Sequence, residues 1–175
     1  MRTFIAIEFP EEIKDALLLS TEAASIHFSH ANLSRRENYH LTLAFLGEIP
    51  PSRVKDITAA MDGCGFVPFP FTVGKAGRFR RDGGDTVWRR VDAPDELYRL
   101  QAALTNGLAA RGFRLEERDF KPHVTVAREV TLKEGTAFRD VDFGSPVTFT
   151  AKGLTLMRSD RINGKLTYTP IYGKK

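Results

Sequence analysis

A chain of 175 residues, 42% hydrophobic and 27% charged with no low-complexity run, can bury a real core, and this excludes an intrinsically disordered protein. Its 26 basic and 22 acidic residues leave a net charge of +4, which suits an anionic partner without demanding one. The single cysteine, Cys64, excludes an internal disulfide and a cysteine metal cluster, and reads as a plain thiol beside a glycine turn.

Thr3 to Phe9 reads as a strand. Its apolar stretch is broken by Glu8 and Pro10, too early for a signal-peptide core or a membrane span, so cytoplasmic residence is expected. Pro10-Glu11-Glu12 then opens a helix with an early proline and an acidic first turn, and Ile13, Ala16, Leu17 and Ala24 keep helical spacing to about His27. Tyr39 to Leu46 alternates as a strand that Gly47 is expected to stop. A second helix is predicted from near Ser52 to Gly63, with Val54, Ile57 and Met61 on one stripe.

After Pro68 and Pro70, a strand is predicted around Phe71 to Lys75. An arginine-rich hairpin comes next: Arg78, Arg80 and Arg81 on one arm, the Gly83-Gly84 turn, and Arg89 and Arg90 on the return arm from Thr86 to Val91. Such a ribbon is either a solvated hairpin or a nucleic-acid contact surface. Pro94-Asp95-Glu96 opens a third helix, striped by Leu97, Leu100, Gln101, Leu104 and Leu108, which Gly112 closes.

His123 to Glu129 is the next strand, and Thr131 to Asp140 is a short helix or a loop. From Val147 the chain alternates through Ala151, then changes parity at Leu154 and Leu156, which suggests a bulge near Gly153. Asn163-Gly164 is a hairpin turn into Leu166 to Tyr172, which Pro170 marks as an edge strand. Each half of the chain thus runs strand, helix, a strand beginning His-x-Thr, then further strand. A duplicated half with pseudo-two-fold symmetry explains this, with lobes of about residues 1–80 and 81–175 in one domain whose elements can interchange.

The two repeated strands carry the chemistry. Side chains two apart on a strand share a face, so His40 and Thr42 point one way and Leu41 and Leu43 the other; His123 and Thr125 repeat this against Val124 and Val126. Brought together, they give a groove with two imidazoles and two hydroxyls. In-line displacement at phosphorus needs a base and an acid on opposite sides, and histidine, with an unperturbed pKa of about 6.5, serves as either. Threonine hydroxyls can donate to the non-bridging phosphate oxygens. Neither strand offers ligands at metal spacing, so neither a metal nor another cofactor is expected. His27 and His30 read as surface residues at a helix end.

The stretches Arg2 to Pro10, Asn38-Tyr-His-Leu-Thr-Leu-Ala-Phe-Leu-Gly-Glu48 and Phe120-Lys-Pro-His-Val-Thr-Val-Ala-Arg128 resemble the two-histidine phosphoesterases. Within them the match is to the RNA 2′,3′-cyclic phosphodiesterases, or LigT-type 2′-5′ RNA ligases. The resemblance implies an α+β, bilobal pseudo-two-fold fold in which two antiparallel sheets line a central groove with helices outside. It further implies hydrolysis of a cyclic RNA end to a 2′-phosphate, with His123 as base, His40 as acid, and Thr42, Thr125 and Arg128 holding the phosphate.

Strict alternation, however, puts Arg128 on the face opposite His123, so a twist or bulge must re-aim it. Tyr39, Phe45 and Phe79 could stack on a base or belong to the core. A small cyclic phosphate as substrate, or a non-catalytic RNA-binding module, are the alternatives. A monomer is the simplest expectation, because both histidines belong to one chain.

Overall fold

The stretch Phe4–Ile7 is apolar at every position because its strand is covered on both faces. In the computed structural model, which describes residues 1–175, this strand, β1 (Arg2–Glu8), lies between β3 (His40–Glu48) and β8 (Leu154–Ile162), and β9 (Lys165–Lys174) closes the sheet. The second sheet runs β2 (Phe28–Leu33), β6 (His123–Leu132), β5 (Asp85–Asp92), β4 (Phe69–Phe79), β7 (Val147–Ala151). All pairings are antiparallel. Each sheet draws on both halves of the chain, and a cut near residue 80 would part β4 from β5 inside one sheet.

Three helices cover the sheets: α1 (Glu11–Ala24), α2 (Val54–Gly63) and α3 (Asp95–Ala109). Ile13, Leu17, Thr21 and Ala24 form the buried face of α1, and Leu97, Leu100, Leu104 and Leu108 that of α3. α1 packs on the sheet of β6, α3 reaches β3, and α2 lies between α3 and β9. One cluster of 34 buried residues takes side chains from both sheets and all three helices, so the two sheets share a single core. No helix is long and apolar enough to cross a membrane.

Several sequence expectations are corrected. α1 ends at Ala24 and a 3₁₀ turn carries the chain to His27. β2 has no counterpart among the expected elements; it pairs along one edge only and buries just Phe28, so it has no apolar alternation to read. Gly47 does not stop β3. At φ +68° it forms an irregularity, and pairing continues to Glu48. Gly153 is not a bulge within one strand but the crossing from one sheet to the other. A side chain there would collide with the Lys174 carbonyl, 2.3 Å from where its Cβ would sit. The undecided segment after Thr131 extends β6 to Leu132 and later holds a 3₁₀ turn at Phe138–Asp140. The Asn163-Gly164 turn has φ of 51° and 75°, as a type I′ hairpin requires, and β9 is an edge strand.

Candidate active site

His40 and His123 begin β3 and β6, the strands through which the two sheets meet. Their rings are held alike. His40 Nδ1–H donates to the Asn38 carbonyl at 2.6 Å, and His123 Nδ1–H to the Lys121 carbonyl at 2.7 Å. A carbonyl can only accept, so in the neutral ring the proton is on Nδ1 and Nε2 carries the lone pair in both. The Thr42 hydroxyl donates to His40 Nε2 at 2.9 Å.

Both strands break alternation at matching places. In β3 the burial order is half-buried His40, buried Leu41, half-buried Thr42, then buried Leu43 and Ala44 together; β6 repeats it with His123, Val124, Thr125, Val126 and Ala127. Leu43 is the extra residue against Ile5 and Ala6, and Val126 the extra residue against Val87 and Trp88. Each insertion reverses the parity of the residues after it, so Phe45 and Arg128 turn onto the exposed side, the side of the histidines. The carbonyls at the insertions are taken up: Gln101 donates to Leu43 O at 3.3 Å and the Ser34 amide to Val126 O at 2.9 Å.

A second irregularity lies just past Arg128. Glu129 has φ +53°, costly for a residue with a side chain. Asn32 donates to its carboxylate at 2.6 Å, and the backbone of Gly84 lies so close that a Cβ there would be 2.6 Å from the Glu129 carbonyl carbon. Arg128 is thereby near enough for its charge to act on both His40 and Tyr168.

The surroundings of the two rings differ. His40 lies against Phe4 (ring centroids 4.8 Å apart) and the edge of Tyr168 (5.1 Å). These aromatics, with Ala6 and Met157, cover the groove face of their sheet. Burial lowers the pKa of His40 to about 4 against the accepting Asn38 carbonyl, and the positive charge of Arg128 pushes the same way as burial. His123 meets Phe79 edge-on at 5.5 Å and Trp88 at 6.1 Å, and opens into a cavity.

Of the predicted site residues, the structure puts His40, Thr42, His123, Thr125 and Arg128 on one side of the meeting strands. Tyr168, on β9, is a groove residue that the sequence reading misses, and burial raises its phenol pKa. Nothing local marks it, because the fold alone brings β9 back toward β1. Tyr39 is core, 1% exposed, whereas Phe45 and Phe79 are on the groove side.

The arginine ribbon is largely internally paired. Arg78 and Arg80 both bind Asp85, at 3.0 and 3.4 Å, and Arg90 binds Asp92 at 2.8 Å. Arg89 is not on the ribbon surface. It is 2% exposed and donates to the carbonyls of Gly74, Phe143 and Ser145, tying β5 to β4 and to the segment before β7. Nowhere do three or more His, Cys, Asp or Glu side chains gather as metal ligands would.

The sequence profile of the 2′-5′ RNA ligase superfamily matches residues 9–163. An RNA 2′,3′-cyclic phosphodiesterase of Thermotoga maritima is 38% identical over 133 residues, 73% of this chain and 70% of its own. One from Escherichia coli K12 is 28% identical over 173 residues, 97% of this chain and 93% of its own. The crystal structure of E. coli LigT complexed with 3′-AMP superposes with a TM-score of 0.77 at 26% identity, covering 99% of this chain and 96% of that one.

Proposed function

The chain belongs to the 2′-5′ RNA ligase superfamily, and from that premise we propose that it hydrolyses 2′,3′-cyclic phosphate ends of RNA to 2′-phosphates by metal-independent acid–base catalysis between His40 and His123. One observation carries the reading. Two imidazoles anchored through Nδ1, with the lone pair on Nε2, begin matched, bulged strands, and the same bulge turns Arg128 toward them.

In the proposed reaction His123 Nε2 takes a proton from water as its oxygen attacks phosphorus, and His40 protonates the departing O3′. The exposures support that division. Water reaches His123 through the open cavity, whereas Phe4 and Tyr168 shield His40 and whatever oxygen lies beside it. Desolvation keeps His40 neutral before substrate binds, and an anionic phosphate beside it supplies the opposite charge that draws a proton onto the ring. The resulting imidazolium, in a site that disfavours its charge, gives the proton up readily. Thr42, Thr125 and Arg128 hold the non-bridging oxygens, the arginine by charge-assisted hydrogen bonds.

Metal independence is supported by the donor set, since neither histidine belongs to a cluster that could ligate a cation. With a 5′-hydroxyl in place of water, the same groups join a cyclic phosphate end to it through a 2′-5′ bond, the reverse of cleaving a 2′-5′ linkage. The groove is complete within one chain, which supports a monomer, and the single unpaired Cys64 supports a cytoplasmic setting. A small cyclic nucleotide is the second substrate reading, favoured by the internal pairing of the arginine ribbon.

The test is release of a 2′-phosphate from an RNA ending in a 2′,3′-cyclic phosphate, by protein dialysed against EDTA. We expect full turnover, and loss of about 10²- to 10⁴-fold in His40→Ala and in His123→Ala. Dependence on added metal, or activity retained by either variant, would overturn the reading.

A further inference from the structure

Beside His123 lies a cavity of about 260 Å³, walled by Phe79, Trp88, Arg90, Tyr98, Phe120 and Lys121 among others. Every lining residue belongs to β4, β5, α3, β6 or the segment that leads into β6, and none comes from the sheet that carries His40. The matching space around His40 is filled by Phe4 and Tyr168. The groove therefore has room for a further ring system on His123's side.

We infer that this cavity is an acceptor subsite, which takes the 5′-hydroxyl nucleoside end of a second RNA strand so that its O5′, in place of water, attacks the cyclic phosphate. The inference rests on the reaction proposed above and on in-line geometry. The entering oxygen comes from the side of the base, and the ribose that carries the departing O3′ lies on the side of the acid. With His123 as base and His40 as acid, a nucleoside in this cavity is on the entering side and the cyclic nucleotide is not.

The walls suit such an occupant. Phe79 and Trp88 flank the imidazole, and Tyr98 and Phe120 meet edge to face at 6.0 Å, giving apolar surfaces on which any base can stack. Lys121 supplies positive charge for the phosphodiester on the 3′ side of the acceptor nucleoside, Arg90 being paired with Asp92, and no carboxylate lines the cavity.

The step balances without a co-reactant. O5′–H passes its proton to His123 Nε2, the O5′–P bond forms, the P–O3′ bond breaks, and O3′ takes the proton of His40. The product is a 2′-5′ phosphodiester with a free 3′-hydroxyl.

The experiment incubates the protein with an oligonucleotide ending in a 2′,3′-cyclic phosphate and rising concentrations of a 5′-hydroxyl oligonucleotide, and measures joined and hydrolysed product in the same tube. Tyr98→Ala, and Phe120→Leu as a milder change, should lower the joined-to-hydrolysed ratio by at least about fivefold and raise the acceptor KM, given the usual contribution of base stacking. Hydrolysis of a cyclic mononucleotide by both variants should be unchanged, which also shows that they fold. Should that hydrolysis fall in parallel with joining, the cavity holds the cyclic nucleotide and the inference is wrong. It is equally wrong if the ratio does not move, or if the unaltered protein hydrolyses the cyclic end and never joins it. Absence of both products would instead defeat the underlying hydrolase reading.

Discussion

Around His40 the walls are Phe4 and Tyr168, closed down to ring contact; around His123 they are Phe79 and Trp88, with an open cavity behind. The backbone treats the two rings identically, through a carbonyl two residues back and an extra residue three places on. Duplication thus supplies the frame of two equivalent imidazoles, and unequal walls give them different solvation and therefore different tasks. The next matched pair makes the point again: where one strand turns Arg128 into the groove, the other turns Phe45, which lies under the Arg2 guanidinium at 4.9 Å.

The sharpest way to break this comparison is at that pair. Arg128→Ala should lower kcat/KM for the cyclic end about 10- to 100-fold, the range of a lost charge-assisted hydrogen bond, and Phe45→Ala much less. Equal losses would mean that the bulges are symmetric in function as well as in form.

A smaller effect is expected from disturbing how Arg128 is aimed. In Gly84→Ala the new methyl group meets the Glu129 backbone, and Gly84 itself has φ +106°. The variant should lose about 1–3 kcal/mol of stability in denaturant unfolding, the scale of backbone strain. In the folded fraction its KM should rise several-fold while kcat changes little. A kcat loss as large as that of Arg128→Ala with unchanged KM would argue that Gly84 acts elsewhere.

The least drastic probe is the proton on His40. Its ring resonances should titrate near pH 4 in the free protein and move up toward 6.5 when inorganic phosphate binds or when Tyr168→Ala uncovers the ring. The folded value lies below the unfolded one, so between about pH 6.5 and 4 the unfolded chain binds more protons. His40 thus contributes stability that is fully present above that window, is lost as pH falls through it, and levels off below. A free-protein midpoint near 6.5 would remove the asymmetry on which the division of roles depends.

Much of this was legible in the sequence. Helical stripes at Leu97, Leu100, Leu104 and Leu108 and the alternating faces of the two His-x-Thr strands depend on side chains a few residues apart, whose common face is set by backbone geometry alone. The Asn163-Gly164 turn was equally local, because both residues tolerate positive φ. Such patterns pick out His40, Thr42, His123 and Thr125 as candidates, and the difficulty with Arg128 was visible as a violated alternation.

What the tertiary structure decided was everything that depends on a distant partner. A bulge exists only against a neighbouring strand, so the insertions at Leu43 and Val126, which turn Arg128 toward the histidines, have no signature in their own apolar residues. The edge strand β2 lacked alternation because it buries little, Arg89 resembled a surface charge until carbonyls from β4 and the segment before β7 surrounded it, and Tyr168 joined the groove because β9 pairs beside β8. Burial and pairing between segments far apart in the chain set these features, and the unequal solvation of two identically held imidazoles is their consequence.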